Sequence, residues 1–251
     1  MKITRLFHQP GLDSNDIIRH AETATGLCSR PVPLPALVEE LRREHYDPAV
    51  PGSKIIYFSR NSGKFLRPCP CSPGVLGCGY DVIHWAENCP FDCRYCALQS
   101  YFTHSVNVVF CNMDDCIKEV ELQLENADRS YRIGTGEFTD SLALEPVLRT
   151  VPSLIDLFSK QKNSILELKT KSGFMDMLVG LNHRGRTVAA WSLNPDIVIR
   201  TIEIGAPMLA ERLGAAERCI REGYPVAFHF DPVIDLPDWD SRYSSLIEEL
   251  F

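Results

Sequence analysis

Three cysteines, Cys89, Cys93 and Cys96, crowd one short stretch, Glu87-Asn88-Cys89-Pro90-Phe91-Asp92-Cys93-Arg94-Tyr95-Cys96. Thiolates hold iron–sulfur clusters, ordinarily one to each iron. A gap of three residues and then two lets an irregular loop fold back and aim all three thiols at one centre. A 4Fe–4S cluster held by only three thiolates keeps one iron open, and an open iron can bind a substrate or cofactor. The competing chemistry is a structural zinc site. Zinc knuckles, however, use two-residue gaps and a full set of four ligands. Here the first gap is three residues, and an aromatic, Tyr95, stands before the last thiol.

Such a centre needs polar groups gathered around it, and parallel α/β folds gather them at the carboxyl ends of their strands. The pattern predicts strands over residues 54–58, 80–85, 105–111, 131–134, 165–170, 187–193 and 225–230. The strand at 80–85 is aimed into the cysteine loop, and that at 131–134 runs into Gly134-Thr135-Gly136-Glu137-Phe138-Thr139-Asp140-Ser141. Between them the 3.6-residue period predicts helices from Asp114, over 144–158 with a kink or restart at Pro152, over 173–181, over 207–221 and over 241–251. Leu209, Leu213, Ala216 and Ile220 are expected to face inward on the helix over 207–221. Strands alternating with helices imply a parallel sheet.

Residues 1–53 read as a small helical N-terminal extension, with Asp13-Ser14-Asn15 capping a first helix and Pro35 opening a second; residues 46–52 form a linker by their turn residues. Residues 54–251 read as one α/β domain that ends after a helix, as if its last unit were incomplete. The composition, 45% hydrophobic and 24% charged, is that of a soluble globular protein, and no apolar run is long enough to span a bilayer. The N-terminus has no apolar core of a signal peptide, and ten cysteines outside a secreted framework fit a reducing, cytoplasmic setting. A net charge of −7 gives no general preference for nucleic acid but leaves room for a local basic groove. Cys69, Cys71, Cys78, Cys111, Cys116 and Cys219 are expected to be packing thiols, and His84, His183 and His229 core histidines.

The cysteine spacing resembles the signature of the radical S-adenosylmethionine enzymes. In that family the open iron chelates the amino and carboxylate groups of the cofactor's methionine, and the reduced cluster cleaves the sulfonium to a 5′-deoxyadenosyl radical. On this reading Gly136, Glu137, Thr139 and Asp140 are candidates for the methionine amine, and Lys171 is a point charge for a carboxylate. Ser192 and Asn194 are candidates for the ribose hydroxyls or the carboxylate.

A narrower resemblance runs from about Ile55 to the end. Cys78-Gly79-Tyr80, Cys93-Arg94-Tyr95-Cys96-Ala97-Leu98-Gln99, Thr139-Asp140-Ser141, Lys171, Trp191-Ser192-Leu193-Asn194 and the segment from Glu203 through Arg212-Leu213 to Asp231-Pro232-Val233 resemble the spore photoproduct lyase family. The resemblance implies a partial parallel (β/α) barrel, one 4Fe–4S cluster, S-adenosylmethionine, and a reducing electron donor of flavodoxin or ferredoxin type. It makes DNA or a nucleotide the candidate substrate, since the type member repairs a thymine dimer in spore DNA. It further implies that Thr139, Asp140, Lys171 and Ser192 hold the cofactor. There are two departures. Glu137 stands where the family has a hydrogen-donating cysteine, and Ala97 stands where it has a second tyrosine beside Tyr95. Tyr95 and Glu137 are therefore the candidate catalytic positions. The family's last strand and its lesion-wedging hairpin would lie beyond Phe251. The alternatives are a cluster protein that only transfers electrons or senses redox state, and a zinc-stabilised nucleic-acid-binding module.

Overall fold

A computed structural model describes residues 2–44, 54–70, 74, 76, 79–125 and 129–250. From the N-terminus the chain runs β1 (Arg5–His8), α1 (Asp16–Thr25), β2 (Ser29–Pro31), α2 (Leu34–Arg43) and β3 (Ile55–Ser59). Then follow β4 (Leu66–Pro68), β5 (Tyr80–Ile83), the short β6 (Ala86–Glu87) and β7 (Asp92–Cys93), α3 (Leu98–Tyr101) and β8 (Asn107–Phe110). The next elements are α4 (Met113–Glu125), β9 (Arg132–Gly134), α5 (Glu145–Leu148), α6 (Val151–Ser159) and β10 (Ile165–Thr170). The chain closes with β11 (Thr187–Ser192), α7 (Asp196–Thr201), β12 (Glu203–Ile204), α8 (Leu209–Arg221), β13 (Val226–His229) and α9 (Trp239–Glu249).

Two sheets carry the architecture. The larger has the order β13-β11-β10-β9-β5-β4, parallel except for the β4–β5 pair. The second has the order β2-β1-β3-β8-β6, parallel except where β6 meets β8. Buried parallel strands are apolar on both faces, and Ile55, Ile56, Tyr57 and Phe58 of β3 are all buried. The alternation of strand and helix expected from the sequence is present, and so is the break before Pro152, where α5 ends and α6 restarts.

Four local expectations are corrected. Both N-terminal helices form, with Asn15 accepting from the Ile17 N–H at 3.0 Å. Between and before them, however, lie β1 and β2, which pair with one another, β1 also joining β3 in the sheet. The N-terminal stretch is thus not helical alone; strands of three and four residues are too short to display a period. Over 173–181 only a 3₁₀ turn, Asp176–Leu178, forms in place of a helix. There the Phe174 N–H goes to the Ser172 hydroxyl at 3.0 Å and the Gly180 N–H to Glu222 at 2.9 Å, so these backbone donors are satisfied outside a helix. The short α7 and β12 were not expected. On α8 the inward face is Leu209, Arg212, Ala215, Ala216 and Cys219, while Ile220 is exposed. A buried ion pair to Arg212 turns the helix away from the stripe that apolar residues alone define. The linker at 46–52 lies outside the described residues, as do Cys71 and Cys78.

One close approach fixes a glycine. A Cβ built on Gly134 of β9 would lie 1.6 Å from the Tyr80 hydroxyl oxygen. The ring of Tyr80 is also held by Arg132, whose guanidinium stands 5.1 Å from the ring centroid. Gly134→Ala is expected to cost about 1–3 kcal/mol of stability by overpacking; chemical denaturation measures it, and Tyr80→Phe in the same background should recover part of the loss.

Candidate active site

The cysteine loop and the carboxyl ends of the larger sheet enclose a cavity of about 390 Å³. One wall is the loop itself, with Cys89, Phe91, Cys93, Tyr95 and Cys96. The facing wall is made by Gly136, Glu137, Thr139 and Asp140 after β9, and by Lys169, Thr170 and Lys171 where β10 ends. Ser192 at the end of β11, with Asp231 and Pro232 after β13, completes it. Every candidate residue named from the sequence lines this cavity except Asn194. That side chain is wholly buried, donating from Nδ2 to Glu203 at 2.9 Å and accepting from the Tyr243 hydroxyl.

Asp140 is the buckle of the strand-end wall. Its Oδ1 accepts from the Leu142 and Ala143 N–H groups, both at 2.9 Å, and from the Thr170 hydroxyl at 2.6 Å. Its Oδ2 accepts from the Lys171 N–H at 2.7 Å, so one carboxylate ties the loop after β9 to the end of β10. Gly136 permits the contact, since a Cβ there would come within 2.8 Å of the Lys169 carbonyl oxygen. Beside Asp140, the hydroxyl oxygen of Thr139 is buried with no hydrogen-bond partner. Orphaned buried hydroxyls are uncommon, and this one stands on the wall of a cavity. Lys171 carries its ammonium 5.6 Å from the Tyr95 ring centroid, and Lys169 pairs with Asp231 at 2.8 Å.

The cysteine loop is braced on both sides. Upstream, Asn88 has φ 65° and donates to the His104 and Val106 carbonyls at 2.8 and 3.0 Å. Glu87 lies between His84 and His104, at 3.1 and 3.4 Å. Burial would raise its carboxyl, but the two imidazoles outweigh that and hold it at about 2. Downstream, β7 pairs antiparallel with β12, and the Arg94 N–H reaches the Ile202 carbonyl at 2.9 Å. Cys89, Cys93 and Cys96 are free thiols. Burial pushes Cys89 well up and Cys93 to about 12, so iron must displace protons to bind them. Among the described residues no three ligand side chains are gathered to hold a single metal ion. A four-iron cluster asks for a different arrangement, with its thiolates spread around a cube, one per iron. The donor set and the orphaned Thr139 hydroxyl fit a cluster with a polar cofactor beside it.

Sequence reasoning gave too little weight to two charged groups. The first is the buried pair Glu203–Arg212. The second is on β10, where buried Glu167 lies between Arg132 and His229. Glu167 is 1% exposed, accepts from Arg132 at 2.8 and 2.9 Å, and lies 2.6 Å from His229 Nε2. Burial raises its carboxyl, but the His229 and Arg132 hydrogen bonds prevail and bring it to about 2, against an ordinary 4.5. A carboxylate lowered in this way adds stability above its unfolded pKa and loses it as pH falls through the folded one. Between about pH 4.5 and 2 the wild type should therefore lose on the order of 2–3 kcal/mol through this group. In Glu167→Gln that part of the slope should vanish, as urea melts across the range would report.

Parallel strand ends that face a three-thiol loop fit the arrangement that the resemblance to radical S-adenosylmethionine enzymes implies. A family model described as spore photoproduct lyase matches residues 78–251. The chain belongs to the spore photoproduct lyase family. It is 26% identical over 171 residues to the spore photoproduct lyases of Bacillus subtilis (strain 168) and Geobacillus sp. (strain Y412MC61), in each case over 67% of this chain and 50% of the relative. The chain thus spans about half the length of these curated relatives. Its fold is that of spore photoproduct lyase complexed with dinucleoside spore photoproduct, with a TM-score of 0.84 and 21% identity over 100% of this chain and 74% of the other. A variant of that lyase with bound AdoMet and dinucleoside spore photoproduct matches with a TM-score of 0.82 at 21% identity and the same coverage. No helix among the described residues is long and apolar enough to cross a membrane.

Proposed function

We propose that this chain is a radical S-adenosylmethionine enzyme in which Cys89, Cys93 and Cys96 hold a 4Fe–4S cluster and the strand-end wall holds S-adenosylmethionine. The observation that carries the reading is one cavity with three free thiols on one wall and the unpartnered Thr139 hydroxyl on the other. When bound, the cluster and the cofactor supply reductive cleavage of a sulfonium to a carbon radical able to take a hydrogen atom from a substrate. The chain's own residues bind and orient. Thr139 offers an uncommitted hydroxyl, Lys171 a cation for a carboxylate, and Ser192 a hydroxyl at the neighbouring strand end. Asp140 serves chiefly by fixing the backbone around them, since both its oxygens are engaged. Asn194 acts from behind, through Glu203. Glu137 lines the cavity where a substrate would lie, and Tyr95 stands between the cavity and Glu203. Likeness to lyases solved with a dinucleoside ligand supports a nucleotide or DNA substrate. A one-electron donor of flavodoxin or ferredoxin type would reduce the cluster.

The test is spectroscopic. After anaerobic reconstitution with iron and sulfide, adding S-adenosylmethionine should change the electron paramagnetic resonance spectrum of the reduced cluster. Thr139→Val, which keeps shape and removes the hydroxyl, should weaken that response about tenfold in cofactor concentration, the cost of one lost hydrogen bond to a charged group. A cluster whose spectrum ignores the cofactor would instead indicate an electron-transfer or redox-sensing protein.

A further inference from the structure

Tyr95 is the centre of a contact that joins two walls of the cavity. Its hydroxyl donates to Glu203 Oε1, an oxygen that also accepts from Asn194 Nδ2 at 2.9 Å. The other oxygen of Glu203 is bound by Arg212, and both partners of this ion pair are wholly buried. Arg212 does not stop there. It donates to the Ser192 carbonyl at 2.9 Å and to the Pro207 carbonyl at 2.9 Å. Glu203 itself sits in β12, opposite Cys93 of β7. Glu203 therefore reaches the cysteine loop twice, by its backbone through strand pairing and by its carboxylate through the Tyr95 phenol, and its carboxylate reaches the strand end bearing Ser192 through Arg212. A buried ion pair is weak evidence for stability, and its best-attested use is to fix one arrangement among several. Here the arrangement fixed is a loop of three thiols with little regular structure of its own.

We propose that Glu203 is a positioning residue that clamps Tyr95, and with it the cysteine loop, into its cluster-binding shape before any iron is present. The proposal rests on the reading of Cys89, Cys93 and Cys96 as cluster ligands. It requires the clamp to work in the iron-free chain, because every contact in it is made by protein groups alone. Metal then meets a formed site instead of having to order one. The same clamp turns the Tyr95 hydroxyl toward Glu203, so Tyr95 is first a strut of the loop, whatever part it has in turnover.

Amide hydrogen exchange of the full-length, iron-free chain tests this without any cofactor. Tyr95→Phe removes only the phenol hydrogen bond and leaves the ion pair intact. It should speed exchange over residues 92–97 at least tenfold while β9, β10 and β11 stay protected. The loop should then take up iron more slowly on reconstitution, at an unchanged melting temperature. Glu203→Gln should loosen the same segment, but at a lower melting temperature because it also breaks the buried Arg212 ion pair. The double variant should loosen the loop no further than Glu203→Gln alone, because the Tyr95 contact is the part the two changes share. Should Glu203→Gln fail to fold with Arg212 left unpaired, Tyr95→Phe decides alone. In reconstituted protein the loosened loop should also alter the shape of the reduced cluster's resonance at full iron content. Loop exchange in Tyr95→Phe indistinguishable from wild type would overturn the proposal, as would effects of the two changes that simply add. If wild type binds no iron yet the loop loosens as described, the clamp stands and the cluster reading fails.

Discussion

Alanine at any one of Cys89, Cys93 or Cys96 should abolish the brown absorbance and the iron-dependent spectrum that wild type is expected to acquire on anaerobic reconstitution. A cluster with three protein ligands has none to spare, because each thiolate serves its own iron. The loss should be confined to iron. The loop's shape rests on β7–β12 pairing, Asn88 and the Tyr95–Glu203 contact, none of which uses a thiol side chain. The iron-free variants should therefore melt within on the order of 1 kcal/mol of wild type. Cys111, Cys116 and Cys219 provide the control. All three are buried away from the cavity, and burial pushes their thiols up, Cys111 and Cys219 to about 12. Alanine at these positions should leave iron binding intact. If a protein lacking all three loop thiols still held about four irons per chain, the ligand assignment would be wrong.

The second large effect concerns Glu137. A substrate radical left after bond cleavage needs a hydrogen atom, and a thiol S–H bond is weak enough to give one. The O–H bond of a carboxylic acid is not, and an ionised carboxylate has none to give. Glu137 lines the cavity where the family resemblance calls for a cysteine, and the remaining described thiols beyond the loop do not line it. Ala97, also on the cavity wall, stands where the family resemblance calls for a second tyrosine, and the hydroxyl of Tyr95 is bound to Glu203. Wild type is therefore expected to consume cofactor with little intact thymine formed from a synthetic dinucleotide lesion. Glu137→Cys should raise the yield of repaired product per cofactor cleaved at least tenfold, read by chromatography. Multiple-turnover repair by the wild type would show that Glu137 is not the departure that matters.

How much of this was legible in the sequence follows from the range of each interaction. The cysteine loop was legible because its spacing is local and few other sites use it. A strand such as β3 was legible because burial on both faces leaves a continuous apolar run. The strand-end positions of Thr139, Lys171 and Ser192 followed from the alternation of elements and from the family resemblance together. What stayed hidden depends on distant partners. Tyr95 and Glu203 are 108 residues apart, and nothing near either announces the other. Arg212 on a helix reads as solvated, since a charged residue is seldom buried unless paired, and its partner is not visible from its neighbours. Asn194 closes a strand just as Ser192 does. It nevertheless turns its amide away from the cavity, donating to Glu203 and accepting from Tyr243.

The central claim is that the open face of a cluster in this loop acts on S-adenosylmethionine. The most direct measurement is chromatographic detection of 5′-deoxyadenosine and methionine after dithionite reduction of reconstituted, demonstrably compact protein with S-adenosylmethionine. The account predicts both products from wild type and neither from Cys93→Ala. Wild type with about four irons per chain and a native melting transition that leaves the cofactor intact would contradict it.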